Sequence, residues 1–241
     1  MESATVGAGR RRGRWWVLAA LGLALGALIV GIAEISTQKP DRSKPQIEGI
    51  GDAQQIFGGI RQDGDRIGPP DAPVAIQVFN DLQCGGCRDQ FLATTPTLVE
   101  ELVRPGDARM EYRHYSFSSS PEQLGFFGAE AAAEQGYGWQ YTYLFFRNQD
   151  EAKRVGLDED FMRSLAGAIA ELDVGEWQDY LDEQGGADGE IGRTLAGYEE
   201  LGANLGIRAK PAAIVSGPGG TRTLQDGPTL GRIQAAVAAV G

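Results

Sequence analysis

The chain has 241 residues, a formal net charge of −11 at pH 7 and a hydrophobic content of 42%. This length and composition allow one packed domain with an additional segment. Nucleic acid and anionic lipid headgroups are excluded as expected partners of the domain, because both repel an acidic surface.

The N-terminal region has the pattern of a membrane anchor. Residues 1–14 are basic, and the run "WWVLAALGLALGALIVGI" that follows them is uncharged. A helix of that length rises about 27 Å, close to the roughly 30 Å hydrocarbon core of a bilayer. We therefore predict a single transmembrane helix over 15–33, with a cytoplasmic N-terminus and everything after it outside the cytoplasm. A cleaved secretory signal is the alternative, although its apolar region is usually shorter.

Residues 34–66 are polar and contain several Pro and Gly residues without a sustained hydrophobic period. We predict an extracytoplasmic linker there, with one ordered turn near Ile56 and Phe57. The folded domain is then expected to span 67–241.

The order of predicted elements within this domain indicates an α/β fold. A buried strand at 74–79 precedes both cysteines, a helix follows them with a kink at Pro96, and a second strand begins at Ala108. Helical stretches at about 121–136, 137–148, 158–172, 175–184 and 189–205, separated by Gly-rich or acidic breaks, fill most of 120–205. Two strands that flank Pro218-Gly219-Gly220 and a last helix over 229–240 complete the domain.

Both cysteines of the chain lie in "CGGC", as Cys84 and Cys87. They could form a structural disulfide, half of a metal site or a redox centre. A disulfide closing so short a loop stabilises by only about 2 kcal/mol. A zinc site needs four ligands, and beyond the cysteines the chain has one histidine, His114. No metal or other cofactor is therefore expected.

Redox exchange fits the context of the two cysteines best. The motif follows a strand and opens a helix, where unpaired backbone N–H groups stabilise a thiolate. A second sulfur about one turn later can resolve a mixed disulfide. Disulfides persist outside the cytoplasm, where this domain is expected to lie.

Three segments resemble the DsbA-like thioredoxin-fold family of exported thiol–disulfide oxidoreductases, in its membrane-anchored bacterial form. They are "IGPPDAPVAIQVFNDLQCGGC", "AAAEQGYGWQYTYLFFRNQ" and "ANLGIRAKPAAIVSG". The resemblance runs from about Ile67 to Val240. It implies a thioredoxin-like fold with an α-helical insertion at about 120–205, preceded here by the predicted transmembrane helix.

The resemblance also implies roles for individual residues. Cys84 matches the nucleophilic cysteine, Cys87 the resolving cysteine, and Pro211 a cis-proline whose loop holds the substrate backbone. Exported cysteine-containing proteins are the implied substrates. A membrane oxidase of the DsbB or vitamin-K-epoxide-reductase type is the implied redox partner.

The sequence departs from the family at positions that tune the cysteines. Gly85 and Gly86 stand where the family often has proline followed by an aromatic residue or histidine, so a positive charge is absent and a less oxidising couple is expected. Lys210, before Pro211, replaces the common Thr or Val and is a candidate for substrate binding or for that missing charge. Asp81 either caps a turn or assists proton transfer near the cysteines.

The predicted function is dithiol oxidation of exported proteins at a single-pass membrane protein with an extracytoplasmic catalytic domain. The same chemistry in reverse, as a reductase or isomerase supplied by a membrane electron donor, remains an alternative. A non-catalytic binding module that keeps the fold is the second alternative, and the presence of both cysteines argues against it.

Overall fold

The computed structural model describes residues 44–116 and 124–241. In chain order, the described helices are α1 (Ile50–Phe57), α2 (Gly85–Leu98), α3 (Leu124–Glu134), α4 (Gly138–Arg147), α5 (Gln149–Val155), α6 (Glu159–Gly167), α7 (Val174–Gln184), α8 (Glu190–Asn204) and α9 (Leu230–Val240). The described strands are β1 (Gln62–Asp63), β2 (Arg66–Ile67), β3 (Val74–Asn80), β4 (Ala108–His114), β5 (Ala212–Gly217) and β6 (Gly220–Leu224).

The six strands form one sheet in the order β1-β2-β4-β3-β5-β6. Strands β3 and β4 are parallel, and Asn80 pairs with His114 at their carboxyl ends. Strand β5 runs antiparallel to β3 and continues through a hairpin into β6. Six of the seven residues of β3 are buried, and five of the seven are apolar. This is usual for a central strand that is covered on both faces.

Helix α2 connects β3 to β4 and carries both cysteines at its start. The predicted irregularity near Pro96 is present, because Pro96 lies inside the last turn and the helix continues as a π-helical turn over Val99–Val103. Proline cannot donate a backbone hydrogen bond, which favours a change of helical geometry at this point. The buried Phe91 of α2 stacks on Trp139 and contacts Phe146, both from the helical insertion.

Helices α3 to α8 lie between β4 and β5 and form a helical insertion, which the sequence predicts at about 120–205. Most aromatic residues of α3 and α4 are buried in its core, among them Phe126, Trp139, Tyr143, Phe145 and Phe146. Phe127 is only partly buried. Helix α5 was not predicted; it is short, and its sequence begins with polar and charged residues that show no apolar period.

Part of the predicted linker is folded, and the domain begins before the predicted boundary at residue 67. Helix α1 buries Ala53 and Phe57, and the short β1–β2 hairpin extends the sheet. The backbone of Glu48 is also held by the Asn148 side chain. An eight-residue helix is too short for its hydrophobic period to be recognised in the sequence.

The predicted anchor at 15–33 lies outside the described residues. Among the residues that are described, none belongs to a helix long and apolar enough to cross a membrane.

Candidate active site at the two cysteines

A short loop between β3 and α2 places the first cysteine at the start of the helix. The backbone N–H of Cys84 donates to the Asp81 carbonyl at 3.1 Å. The Asp81 side chain also accepts from the Gln83 N–H at 2.9 Å, which closes a tight Asx-type turn. Asp81 therefore does cap the turn, as one of its two sequence-based readings suggested.

Cys84 is the N-cap residue of α2, with φ −81° and ψ 117°. Its Sγ accepts a hydrogen bond from the Cys87 backbone N–H at 3.2 Å. A thiolate at this position receives both that hydrogen bond and the positive end of the helix dipole. Cys84 is partly exposed, and both cysteines are free thiols in this structure.

Cys87 is completely buried behind Cys84. Burial raises the pKa of its thiol well above the usual range, and the hydrogen bond to Cys84 and the charges on Cys84 and Asp81 raise it further. The two sulfurs therefore differ sharply in access, and the Cys87 thiol resists ionisation. One accessible sulfur and one covered sulfur is the arrangement that exchange through a mixed disulfide requires.

The two positions between the cysteines, Gly85 and Gly86, are not crowded enough to require glycine. Both are exposed. A Cβ at Gly85 would meet no heavy atom within 4 Å, and a Cβ at Gly86 would meet only Cys84 Sγ, at 4.0 Å. Larger side chains, including a positively charged one, therefore fit at both positions. The fold does not exclude such a side chain beside Cys84; the sequence simply lacks it there.

Lys210 forms an ion pair with Asp81, and both side chains are largely buried, with exposed fractions of 19% and 13%. Burial alone would raise the pKa of the Asp81 carboxyl, but hydrogen bonds from Lys210 and the Gln83 N–H, together with nearby positive charge, lower it overall. The structure thus places the Lys210 ammonium against the Asp81 carboxylate. The carboxylate compensates the positive charge that Lys210 would otherwise bring to the cysteines.

The peptide bond between Lys210 and Pro211 is cis, as the sequence resemblance implies. Ala212 follows at the start of β5 and pairs with Phe79 near the end of β3. The Pro211 loop therefore lies at the same edge of the sheet as the cysteine loop. The predicted site residues from the two distant parts of the chain come together at this edge.

The structure places His114, the one histidine of the chain, in the interior at the carboxyl end of β4. Its ring stacks on Phe126 with a centroid distance of 4.7 Å. Burial lowers its pKa to about 4, although the nearby charge of Asp81 acts in the opposite direction. The imidazole is therefore neutral at pH 7.

Sequence reasoning missed two residues beside the cysteines. Gln149 of α5 donates from Nε2 to the carbonyl oxygens of Leu82 at 2.5 Å and Cys84 at 3.4 Å. Burial, and then the charge of Cys87, raise the pKa of the Tyr112 phenol. Tyr112 lies in no segment that carries the resemblance to the family. Gln149 is the last residue of the segment "AAAEQGYGWQYTYLFFRNQ", which does, but only the tertiary fold brings its side chain to the cysteine loop.

Metal ligands are not grouped at this site. Within 44–116 and 124–241, no three residues of the types His, Cys, Asp and Glu lie close enough together to hold a metal ion.

Residues 61–202 match a family model described as thioredoxin. The chain is similar to the probable disulfide bond formation protein D of Bacillus cereus, with 23% identity over 154 residues, 63% of this chain and 69% of the relative. The Bacillus anthracis protein of the same description is 21% identical over the same shares of the two chains.

Two solved structures show the same fold. Oxidised BdbD from Bacillus subtilis superposes with a TM-score of 0.60 at 14% identity, covering 74% of this chain and 96% of that one. The α-DsbA1 protein of Wolbachia pipientis gives 0.58 at 15% identity, covering 78% and 94%. The matched model, the curated relatives and the shared architecture lead to one conclusion: the chain belongs to the thioredoxin family and has the DsbA-like form of its fold.

Proposed function

We propose that this protein is an extracytoplasmic thiol–disulfide oxidoreductase that oxidises dithiols in exported proteins. The observation that carries the proposal is the pairing of a partly exposed N-cap cysteine, Cys84, with a buried one, Cys87. The disulfide-forming names of the Bacillus relatives support the same chemistry and the oxidising direction.

The reaction begins with the disulfide form of the enzyme. A substrate thiolate attacks Cys84 Sγ, the Cys84–Cys87 bond breaks, and Cys87 leaves with the electron pair and takes up a proton. A second substrate thiolate then attacks the substrate sulfur of the mixed disulfide, and Cys84 leaves as a thiolate. The substrate loses two electrons and becomes a disulfide, and the enzyme gains them as a dithiol.

The Asp81–Lys210 pair lies near Cys87, whose sulfur takes up a proton when it leaves. The charge of Asp81 acts directly on the Cys87 thiol. We assign the pair to proton delivery and charge compensation at Cys87, which is a different role from stabilising the Cys84 thiolate. The Pro211 loop is assigned to holding the substrate backbone against the disulfide, on the basis of the family resemblance.

The remaining parts of the proposal concern placement in the cell. In this proposal the segment 15–33, predicted from sequence as a transmembrane anchor, holds the protein in the membrane, residues 1–14 are cytoplasmic, and the catalytic domain is extracytoplasmic. A membrane oxidase of the DsbB or vitamin-K-epoxide-reductase type accepts the two electrons and restores the Cys84–Cys87 disulfide.

One observation favours the reverse direction as a second candidate. Gly85 and Gly86 supply no side chain that would stabilise the Cys84 thiolate, and a less stable thiolate makes a dithiol more reducing. A disulfide reductase or isomerase supplied by a membrane electron donor is therefore the competing function.

The proposal is tested by mixing the oxidised protein with an unfolded substrate protein whose native form contains disulfides and whose cysteines have been reduced. Two substrate thiols should disappear for each molecule of enzyme that is converted from the disulfide to the dithiol. When mixed instead with the disulfide form of the same substrate, a Cys87→Ser variant should accumulate a mixed disulfide, because its Cys84 thiolate attacks the substrate disulfide, one substrate thiolate leaves and no Cys87 resolves the product. A Cys84→Ser variant should not. Failure of the wild-type protein to exchange at neutral pH would instead support a binding module.

A further inference from the structure

Gln149 connects the helical insertion to the cysteine loop. It is the first residue of α5 and is only 3% exposed. Its Nε2 donates to the Leu82 and Cys84 carbonyl oxygens, which lie on either side of Gln83. This single amide therefore holds the backbone on both sides of the residue that precedes the candidate nucleophile.

The orientation of the Gln149 amide follows from its neighbours. Both groups that it contacts on the loop are carbonyl oxygens, which only accept hydrogen bonds, so the nitrogen end must face them. Among the described residues, Gln149 Oε1 is buried without a hydrogen-bond partner. Burying an unsatisfied acceptor costs free energy. A glutamine at this position is explained if the hydrogen bonds donated by its Nε2 to the cysteine loop serve a function.

The function of these hydrogen bonds follows from the two carbonyl groups that accept them. Each presents the negative end of a backbone dipole in the loop that carries Cys84, and the Gln149 N–H groups compensate that charge. The same contacts hold the loop that positions Cys84 as N-cap, where its Sγ accepts from the Cys87 N–H. A thiolate formed there during exchange keeps that N–H as its donor.

We propose that Gln149 is a positioning residue for the exchange reaction, holding the cysteine loop so that the Cys84 thiolate is stabilised. This inference rests on the proposed function, since it assigns a role within the same site. It gives the insertion a direct part in the chemistry, in addition to its contribution to the core.

The preceding residue provides a matched control. Asn148 is 2% exposed, and its amide binds the Glu48 backbone and the Leu144 carbonyl. Those contacts hold the segment before α1 and the end of α4. Two neighbouring buried amides thus have different targets, and only the Gln149 contacts reach the cysteine loop.

The experiment compares Gln149→Met with Asn148→Leu in the full chain. Each replacement removes a buried amide of similar size, so both should lower the thermal midpoint. Only Gln149→Met should slow alkylation of Cys84 at neutral pH, by about tenfold, and shift the alkylation profile to higher pH. It should also shift the reduction equilibrium about tenfold toward the disulfide, which is about 30 mV for a two-electron couple.

Three outcomes separate the possible explanations. An unchanged alkylation profile and potential in Gln149→Met would overturn the inference, and so would equal shifts in Asn148→Leu. Failure of the proposed function would show differently, as a wild-type protein that does not exchange disulfides with substrate whatever residue occupies position 149.

Discussion

Lys210 donates a hydrogen bond to the Asp81 carboxylate, and this ion pair joins the cysteine loop to the loop that carries the cis peptide bond at Pro211. The two residues are separated by 129 positions in the sequence. Their contact places a compensated charge pair beside Cys87, whose thiol is affected by the Asp81 charge.

Removing the lysine should destabilise the fold through the carboxylate that remains. Lys210→Met leaves Asp81 largely buried without its cation, and we expect a loss of about 1–3 kcal/mol in the free energy of unfolding at pH 7. Urea denaturation measures this change. Lys153→Met is the control, because Lys153 pairs with Asp150 while its side chain is 68% exposed, and its loss should be within about 0.5 kcal/mol. Equal losses in the two variants would contradict the assignment.

The stabilising effect of this pair should disappear in acid. The folded state lowers the pKa of Asp81, so its contribution is present above the unfolded pKa of about 3.9 and is lost as the pH falls through the lower folded value. The stability difference between wild type and Lys210→Met should therefore shrink below about pH 4. A difference that stays constant down to pH 2 would show that the carboxylate is not responsible.

His114 should make the fold sensitive to mild acid. Its folded pKa of about 4 lies below the unfolded value of about 6.5, so only the unfolded state gains a proton between these pH values. Wild type should lose up to about 3 kcal/mol over this window relative to His114→Phe. Comparing the two proteins cancels the opposite effect of Glu130, whose pKa burial raises to about 7. Parallel stability curves between pH 6.5 and 4 would contradict the burial of a neutral imidazole.

The space at Gly86 allows a direct test of the missing charge. Gly86→His should place an imidazolium near Cys84 Sγ and stabilise its thiolate, whereas Gly86→Ala changes the backbone propensity alone. Relative to the alanine variant, the histidine variant should favour the dithiol form about three- to tenfold, or roughly 15–30 mV. Equilibration with glutathione redox buffers measures the shift. Identical potentials in the two variants would show that this position does not tune the couple.

The cysteines should differ in reactivity as strongly as they differ in exposure. In the reduced protein, a small alkylating reagent at neutral pH should modify Cys84 and leave Cys87 unmodified until the chain is unfolded, because the Cys87 thiol is buried and its pKa is raised. Mass spectrometry of the modified peptide identifies the site. Modification of Cys87 at a similar rate would contradict the separation into accessible and covered sulfurs.

Much of this site can be predicted from sequence because its signals are local. The strand, the cysteine pair and the helix follow one another within about twenty-five residues, and Pro211 lies in a segment that resembles the family. Gln149 also lies at the end of a segment that resembles the family, but the resemblance assigns it no role. Its contacts with Leu82 and Cys84 depend on how the insertion packs against α2, which a single polar residue at the start of a short helix does not reveal.

The segment before residue 67 shows a different limit. Polar and glycine-rich composition suggested a linker, yet Ala53 and Phe57 are buried and α1 packs into the core. The four apolar positions of α1, Ile50, Ala53, Ile56 and Phe57, span only about two turns, which is too short to establish a period. The neighbouring helices supply the surface that makes the segment fold. The contact between Lys210 and Asp81 was likewise not predictable, because it depends on the register of β5 against β3.

The reduction potential of the Cys84–Cys87 couple tests the oxidase proposal most directly. The protein is equilibrated with redox buffers and the fraction of disulfide is read by mass after acid quenching and alkylation. A dithiol oxidase with an N-cap thiolate and no charged residue in its motif is expected to lie between about −180 and −120 mV. A potential near −270 mV, the range of reducing thioredoxins, would contradict the oxidase and support the reductase.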